Sequence, residues 1–383
     1  MLFALPYILL TFFYGLLSII FYAYDDENIR SKINITCIFI FVLFFGFRGY
    51  IFDDWINYYP SFEACQTDNI ALLPTYEWSY ELGFTLLILI CKSIINDFQF
   101  LVFVCTIINI TLLWTFLKKR VSNIPLAIML YLAMGGLVMS VNLMRNTIAI
   151  LIFINSLIYL EKRKALQYFL LCILALSFHM SSILFFPLYF ILHRNCNKWI
   201  YLGAFILGNT ILLLHIPILM SFVSIFMDDS SLMMANKIED YTKLQQGIGF
   251  TISIGYLERL FTGLLIFCYI DKLKEIRKEN IVFLNCILLY FLMFFIFSEF
   301  DEISRRLSNL FIFAYWILWY DLIKCFHYSN NRKLFITFIS IYCLFKLIGT
   351  AGIATAKYEN VLFGAQSYQE RLFYYNRNRG DLQ

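Results

Sequence analysis

The sequence predicts an all-α, polytopic integral membrane protein of about 12 transmembrane helices, and three observations carry that expectation. Of 383 residues 61% are hydrophobic and 19% aromatic, while only 15% are charged. Apolar runs long enough to span a hydrocarbon core of ~30 Å recur along the whole chain, separated by short polar loops. The apolar/polar alternation of a closed barrel is absent. With mean hydropathy +0.73 there is no stretch left for a soluble domain, so residues 1–383 read as a single transmembrane domain in a lipid bilayer.

Charge placement orders the elements. The run Leu2 to Tyr24 lacks the basic start and small-residue cleavage site of a signal peptide and reads as a retained first helix. Lysines and arginines cluster in short loops at Lys118-Lys119-Arg120, Glu161 to Lys164, His193-Arg194 with Lys198, Asp271 to Asn280 and Asn331-Arg332-Lys333. Such loops stay on the cytoplasmic side. The loop 48–81 then lies outside, carrying Asp53, Asp54, Glu63, Asp68, Glu77 and Glu81 against one arginine. A second outer-face loop is expected at 228–247. One segment must fail to cross if Lys118 to Arg120 are to lie inside. Leu82 to Ile95, about 14 residues, rises only ~21 Å as a helix and is expected to lie in the outer interface. Ala165 to Leu192 reads either as two short halves folded at His179 or as one helix kinked near Pro187. The polar tail 357–383 reads as a disordered end or as a flap over the outer face.

Net charge +4 is dispersed in helix-end clusters, which excludes a nucleic-acid partner. Most of the ten cysteines, such as Cys37, Cys105, Cys286 and Cys343, are embedded in apolar runs without CxxC or metal-ligand spacing. Cys65 stands alone in a polar loop. No disulfide framework, metal or cofactor is expected.

The chemistry gathers on the outer side. Between Ile124 and Leu160 the only charge is Arg145, set where two membrane-length segments meet. An ionisable group there is a functional candidate, although an arginine can also snorkel to the interface. Arg48, Asp54 and Glu81 in the outer loop, His179, and Arg305 and Arg306 beside Glu299 to Glu302 share that side. A planar guanidinium binds phosphate oxygens bidentately and a histidine adds a titratable donor, so Arg145, His179 and Arg306 suit a diphosphate held at the membrane surface. A carboxylate such as Asp54 or Glu81 could take a proton from a hydroxyl. Ordinary roles compete: a backbone-bonded His179, Glu81 at a helix start, solvated Asp53 and Asp54, and arginines that offset Asp301 and Glu302.

Four stretches resemble one known family. They are Phe47-Arg48 followed by Asp54-Trp55-Ile56-Asn57-Tyr58; Glu81-Leu82-Gly83-Phe84; Met144-Arg145-Asn146-Thr147-Ile148-Ala149; and Ala175-Leu176-Ser177-Phe178-His179-Met180-Ser181-Ser182. A fifth, Arg306-Leu307-Ser308-Asn309-Leu310-Phe311, lacks the tyrosine of the corresponding element. Their order resembles the EpsG-type membrane proteins, grouped with the Wzy O-antigen and exopolysaccharide polymerases. The resemblance implies a class C glycosyltransferase that needs no nucleotide and joins oligosaccharide repeat units carried on undecaprenyl diphosphate, which serve as donor and acceptor, at the outer face of the bacterial inner membrane. It implies catalytic roles for Asp54, Glu81, Arg145 and His179, and substrate binding by Arg48, Tyr58, Arg305 and Arg306. A chain-length regulator is an implied partner. Trp55, Tyr59, Tyr76 and Trp78 would join Tyr58 in stacking on sugar rings. A lipid-linked oligosaccharide flippase, and a ligase or single-sugar transferase, remain as alternatives.

Overall fold

The computed structural model describes residues 2–65, 80–218 and 253–378. The expected loop 228–247 lies outside the described residues, as do Asp68, Tyr76, Glu77, Trp78 and the final five positions. Within the described residues the structure is helical, with one isolated antiparallel bridge between Arg48 and Asn360. Among the described residues six helices are long and apolar enough to cross a membrane: Leu2–Ala23, Glu27–Gly46, Phe98–Lys118, Ile124–Val141, Met144–Glu161 and Ser329–Ala351. Five further apolar helices are shorter, among them Leu82–Ile94, Ala165–Phe178 and Met180–Phe190. The chain falls into two compact units, residues 1–191 with 326–383, and residues 192–325.

In the first unit, α1 (Leu5–Ala23) packs on α6 (Ile124–Tyr131). Between them in sequence come α2 (Glu27–Phe41), α3 (Trp55–Ala64), α4 (Leu82–Ile94) and α5 (Phe98–Lys118). Asp26 caps α2 by accepting from the Asn28 and Ile29 amides, and a π-turn at Val42–Gly46 ends it. Both ends of α4 lie on the side where α2 ends. Glu81 at its start reaches Met180, Lys92 near its end donates to the Phe62 and Glu63 carbonyls, and Gln99 in the next helix donates to Gly46. These bonds hold both ends of the 13-residue helix on one side of the unit.

A helical hairpin follows. Its first arm is α6 and α7 (Leu137–Val141), joined through a kink where Gly135 adopts φ 90°, a conformation open to glycine. Its second arm is α8 (Met144–Glu161). The expected meeting point at Arg145 is therefore the turn of this hairpin. The run after Lys164 breaks at His179, as one of its two expected readings held: α9 (Ala165–Phe178) ends there, His179 is extended (φ −156°, ψ 127°), and Met180–Phe190 continues as a 3-10 helix. Cys65, expected in a polar loop, is instead buried at the end of α3.

The second unit holds α10 (Lys198–Leu213), α11 (Ile254–Ile276), α12 (Asn280–Ile296), α13 (Asp301–Asn309) and α14 (Phe313–Cys325). Its buried carboxylate Asp321 pairs with Arg277, accepts from Asn280 Nδ2 at 3.0 Å and lies 3.2 Å from Lys324 Nζ. After it the chain re-enters the first unit through α15 (Ser329–Ala351), and the stretch from Ile353 through α16 (Tyr368–Asn378) docks against residues 43–59. The expected tail is thus ordered structure up to Asn378.

Candidate functional site

Arg145, the second residue of α8, points back across the hairpin turn to Glu81, with Nη1 2.5 Å from Oε2. Each side chain keeps about a fifth of its surface exposed, 21% and 19%. The other Glu81 oxygen accepts from the Met180 amide at 2.8 Å. One carboxylate thereby ties the hairpin turn to the break after α9. Burial works to raise the Glu81 carboxyl, but the Met180 and Glu81 amides, Arg145 and His179 outweigh it and hold it below the ordinary carboxylate range. The guanidinium carbon of Arg145 also lies 4.2 Å from the Tyr80 ring centroid and 5.9 Å from that of Tyr58.

His179 Nδ1 accepts from the Ser181 amide at 3.2 Å and is 2.7 Å from Ser181 Oγ. An acceptor at Nδ1 puts the proton of the neutral ring on Nε2. Asp54 enters from the outer loop. Its amide and that of Asp53 both donate to Asn142 Oδ1, at 2.8 and 3.1 Å, so a side chain in the hairpin turn fixes the loop. The Asp54 charge raises both the Tyr58 and Tyr80 phenols, after the larger effect of their burial. Asp54 is thus near enough to the aromatic surround of Arg145 for its charge to act on both rings.

These residues sit at one end of α8. At its other end, ~27 Å away by helix rise, Arg120 pairs with Glu161 at 2.7 Å. Arg163 there donates to the Tyr189 carbonyl at 3.0 Å. The two short halves around His179 therefore leave from and return to the basic end.

The EpsG family model matches residues 32–362. The chain belongs to the EpsG family. No curated protein and no solved structure matches it.

Within this EpsG-family chain the short motifs acquire physical reasons. A Cβ at Gly83 would sit 2.8 Å from the Ser177 carbonyl oxygen and closer still to Ser177 Oγ. Only glycine lets α4 approach the end of α9 closely enough for Glu81 to reach Met180. The structure brings together Asp54, Tyr58, Glu81, Arg145 and His179, with Arg48 within electrostatic reach of Tyr58.

The structure places the other expected residues as follows. Arg305 and Arg306 lie on α13 in the second unit, exposed, and engage Asp301 and Glu302 of the same helix. Those ion pairs within one helix are the contacts observed for them. Tyr58 and Trp55 are buried, at 6% and 3% exposure, so they brace the site and are not open to a sugar ring. Tyr59 remains half-buried, stacked on Tyr368 at 4.1 Å.

Sequence reasoning missed Asn142, Tyr80, Glu258 and Arg259. Glu258, 3% exposed, accepts from Thr262 Oγ1 at 2.6 Å, and Arg259 packs its guanidinium 3.7 Å from the Phe294 centroid. That adjacent pair, charged within the apolar start of α11, offered the same signal as Arg145. Among the described residues no three His, Cys, Asp or Glu cluster as metal ligands would.

Proposed function

We propose that the protein is a polysaccharide polymerase that transfers a glycan from one undecaprenyl diphosphate to a sugar hydroxyl of a second lipid-linked repeat unit, at the outer face of the bacterial inner membrane. The observation that carries this reading is the convergence of Arg145, His179 and Asp54 at the end of α8 opposite its basic loop. Arg145 and the Nε2 side of His179 receive the departing diphosphate, whose developing charge needs fixed donors. Asp54 takes the proton as the acceptor oxygen attacks the anomeric carbon. The bond from that carbon to the phosphate oxygen breaks, and its electron pair leaves with the diphosphate. Glu81 spends both oxygens on Arg145 and Met180, which makes it the residue that holds Arg145 in place.

The test supplies purified protein with one synthetic undecaprenyl-diphosphate repeat unit. Products should lengthen by whole repeats while undecaprenyl diphosphate accumulates, and His179→Ala should slow transfer by about 10²-fold. Lipid-linked sugar that crosses liposome membranes without elongation would replace this reading with a flippase. Arg145 and the Nε2–H of His179 offer fixed donors to the diphosphate oxygens without a metal, so activity should survive EDTA; loss that magnesium or manganese reverses would overturn that point.

A further inference from the structure

Arg48 follows the π-turn of α2 and is 3% exposed. Its Nη1 reaches only the carbonyl of its neighbour Gly49, at 3.4 Å, and its Nε has no hydrogen-bond partner. Among the described residues no carboxylate forms an ion pair with it. The groups whose charge it would feel are the Cys105 thiol and the phenols of Tyr7, Tyr58 and Tyr358, and burial pushes the guanidinium down to about 10, which still leaves it charged at neutral pH.

A second buried arginine nearby shows the contrast. Arg371, 1% exposed, donates to the Thr355 and Lys357 carbonyls at 3.1 and 3.0 Å and lies 3.8 Å from Glu359. Arg371 Nη1 has no hydrogen-bond partner either, but Arg371 has a carboxylate beside it, and among the described residues Arg48 has none.

The backbone that carries Arg48 is also held in place. The backbone on both sides is pinned by the stretch that Arg371 fastens: Val361 donates to Phe47 at 2.8 Å, Gly49 to Glu359 at 2.9 Å, and Phe52 to Thr355 at 2.9 Å. Asn360 and Tyr358 add bonds to the Leu43 and Phe44 carbonyls, each at 3.0 Å. A lone guanidinium held in a desolvated place is unfavourable unless an anion completes it. Tyr58 connects this place to the site, because its ring lies 5.9 Å from the Arg145 guanidinium carbon and its phenol is also within electrostatic reach of Arg48.

We propose that Arg48 is an anion-binding residue that takes a phosphate group of a diphosphate ligand, in a subsite built by residues Thr355 to Val361. That the anion is a diphosphate rests on the polymerase reading; the subsite itself rests on the burial of Arg48.

The full chain in phosphatidylcholine nanodiscs, titrated with farnesyl diphosphate and with inorganic pyrophosphate, tests this, alongside Arg48→Met, Arg48→Lys and Arg371→Met. Ligand-free Arg48→Met should melt at or above the wild-type temperature, because it removes an uncompensated buried charge, yet bind both probes at least about tenfold more weakly. Arg48→Lys should bind with intermediate affinity, keeping charge but losing the planar fork. Arg371→Met should melt lower. An Arg48→Met protein that melts lower or fails to fold shows a structural arginine and overturns the proposal, as does wild-type affinity in that variant or no binding by the wild type. Stabilisation only by phosphatidylglycerol in the disc assigns the anion to bulk lipid and overturns the diphosphate. Probe binding through Arg48 without ladder synthesis would sink the polymerase reading alone. A ladder made by Arg48→Met with unchanged KM would sink this inference alone.

Discussion

At the scale of single residues, Glu81 and Arg145 share one ion pair that fixes two segments, so their effects should couple. Gln at position 81 still accepts from the Met180 amide and isolates the charge. Glu81→Gln is expected to cost about 2–3 kcal/mol of stability, because a mostly buried guanidinium loses its carboxylate. Adding Arg145→Met should cost less than the sum of the two single changes. The Glu81 carboxyl is held low in the folded protein, so its contribution is full above the ordinary carboxylate value of about 4.3 and fades as pH falls through the lowered folded value. Melting curves of wild type and Glu81→Gln against pH should stay parallel above about pH 5 and converge only in acid; convergence near neutral pH would refute the pairing. Arg145 and His179 were legible in sequence because lone polar groups in apolar runs demand a reason. Asn142 was not. It acts through the amides of Asp53 and Asp54, and no side-chain pattern announces a backbone contact 88 residues distant.

At the scale of elements, the approach of α4 to α9 sets the distance on which the Glu81 to Met180 bond depends. Gly83→Ala should leave the protein inserted in the membrane but reduce polymer synthesis at least as much as Glu81→Gln does. No substitution at Ser177 should restore it, since the closest fixed obstacle is a backbone carbonyl. Quantifying ladder length in single and double variants checks this; a normal ladder from Gly83→Ala would mean that the two helices can part without consequence. The helix–turn–helix character of 124–161 and the break at His179 were readable from hydropathy and from the position of single polar residues. The docking of the stretch from Ile353 to Asn378 was not, because its bonds to residues 43–59 are mostly backbone to backbone and its composition matches that of a solvated tail.

For the molecule as a whole, the placement of α4 makes a topological statement. In a cysteine-free background, Asn96→Cys in the turn after α4 should react with a membrane-impermeant maleimide from the same side as Ser61→Cys, and from the side opposite Lys162→Cys. Labelling of Asn96→Cys only with Lys162→Cys would mean that α4 crosses. The membrane class was fully legible from composition, whereas the number of crossings was not: length and hydropathy alone assign α4, α9 and the 3-10 helix after it no less readily than α8. What distinguishes them is where their ends are anchored, and anchoring is a tertiary property.

The hydroxyl of Tyr7 bonds to the carbonyl of Ala356 at 2.7 Å, across 349 positions. A ribosome adding about 5–20 residues each second needs roughly 20–70 s to pass from one to the other. During that interval the stretch with Arg48 and Asp54 has already been made, yet the segment that clasps it does not exist. Completion of the fold is therefore timed by synthesis: a nascent chain can be inserted, and its hairpins packed, well before the surroundings of Arg48 are closed.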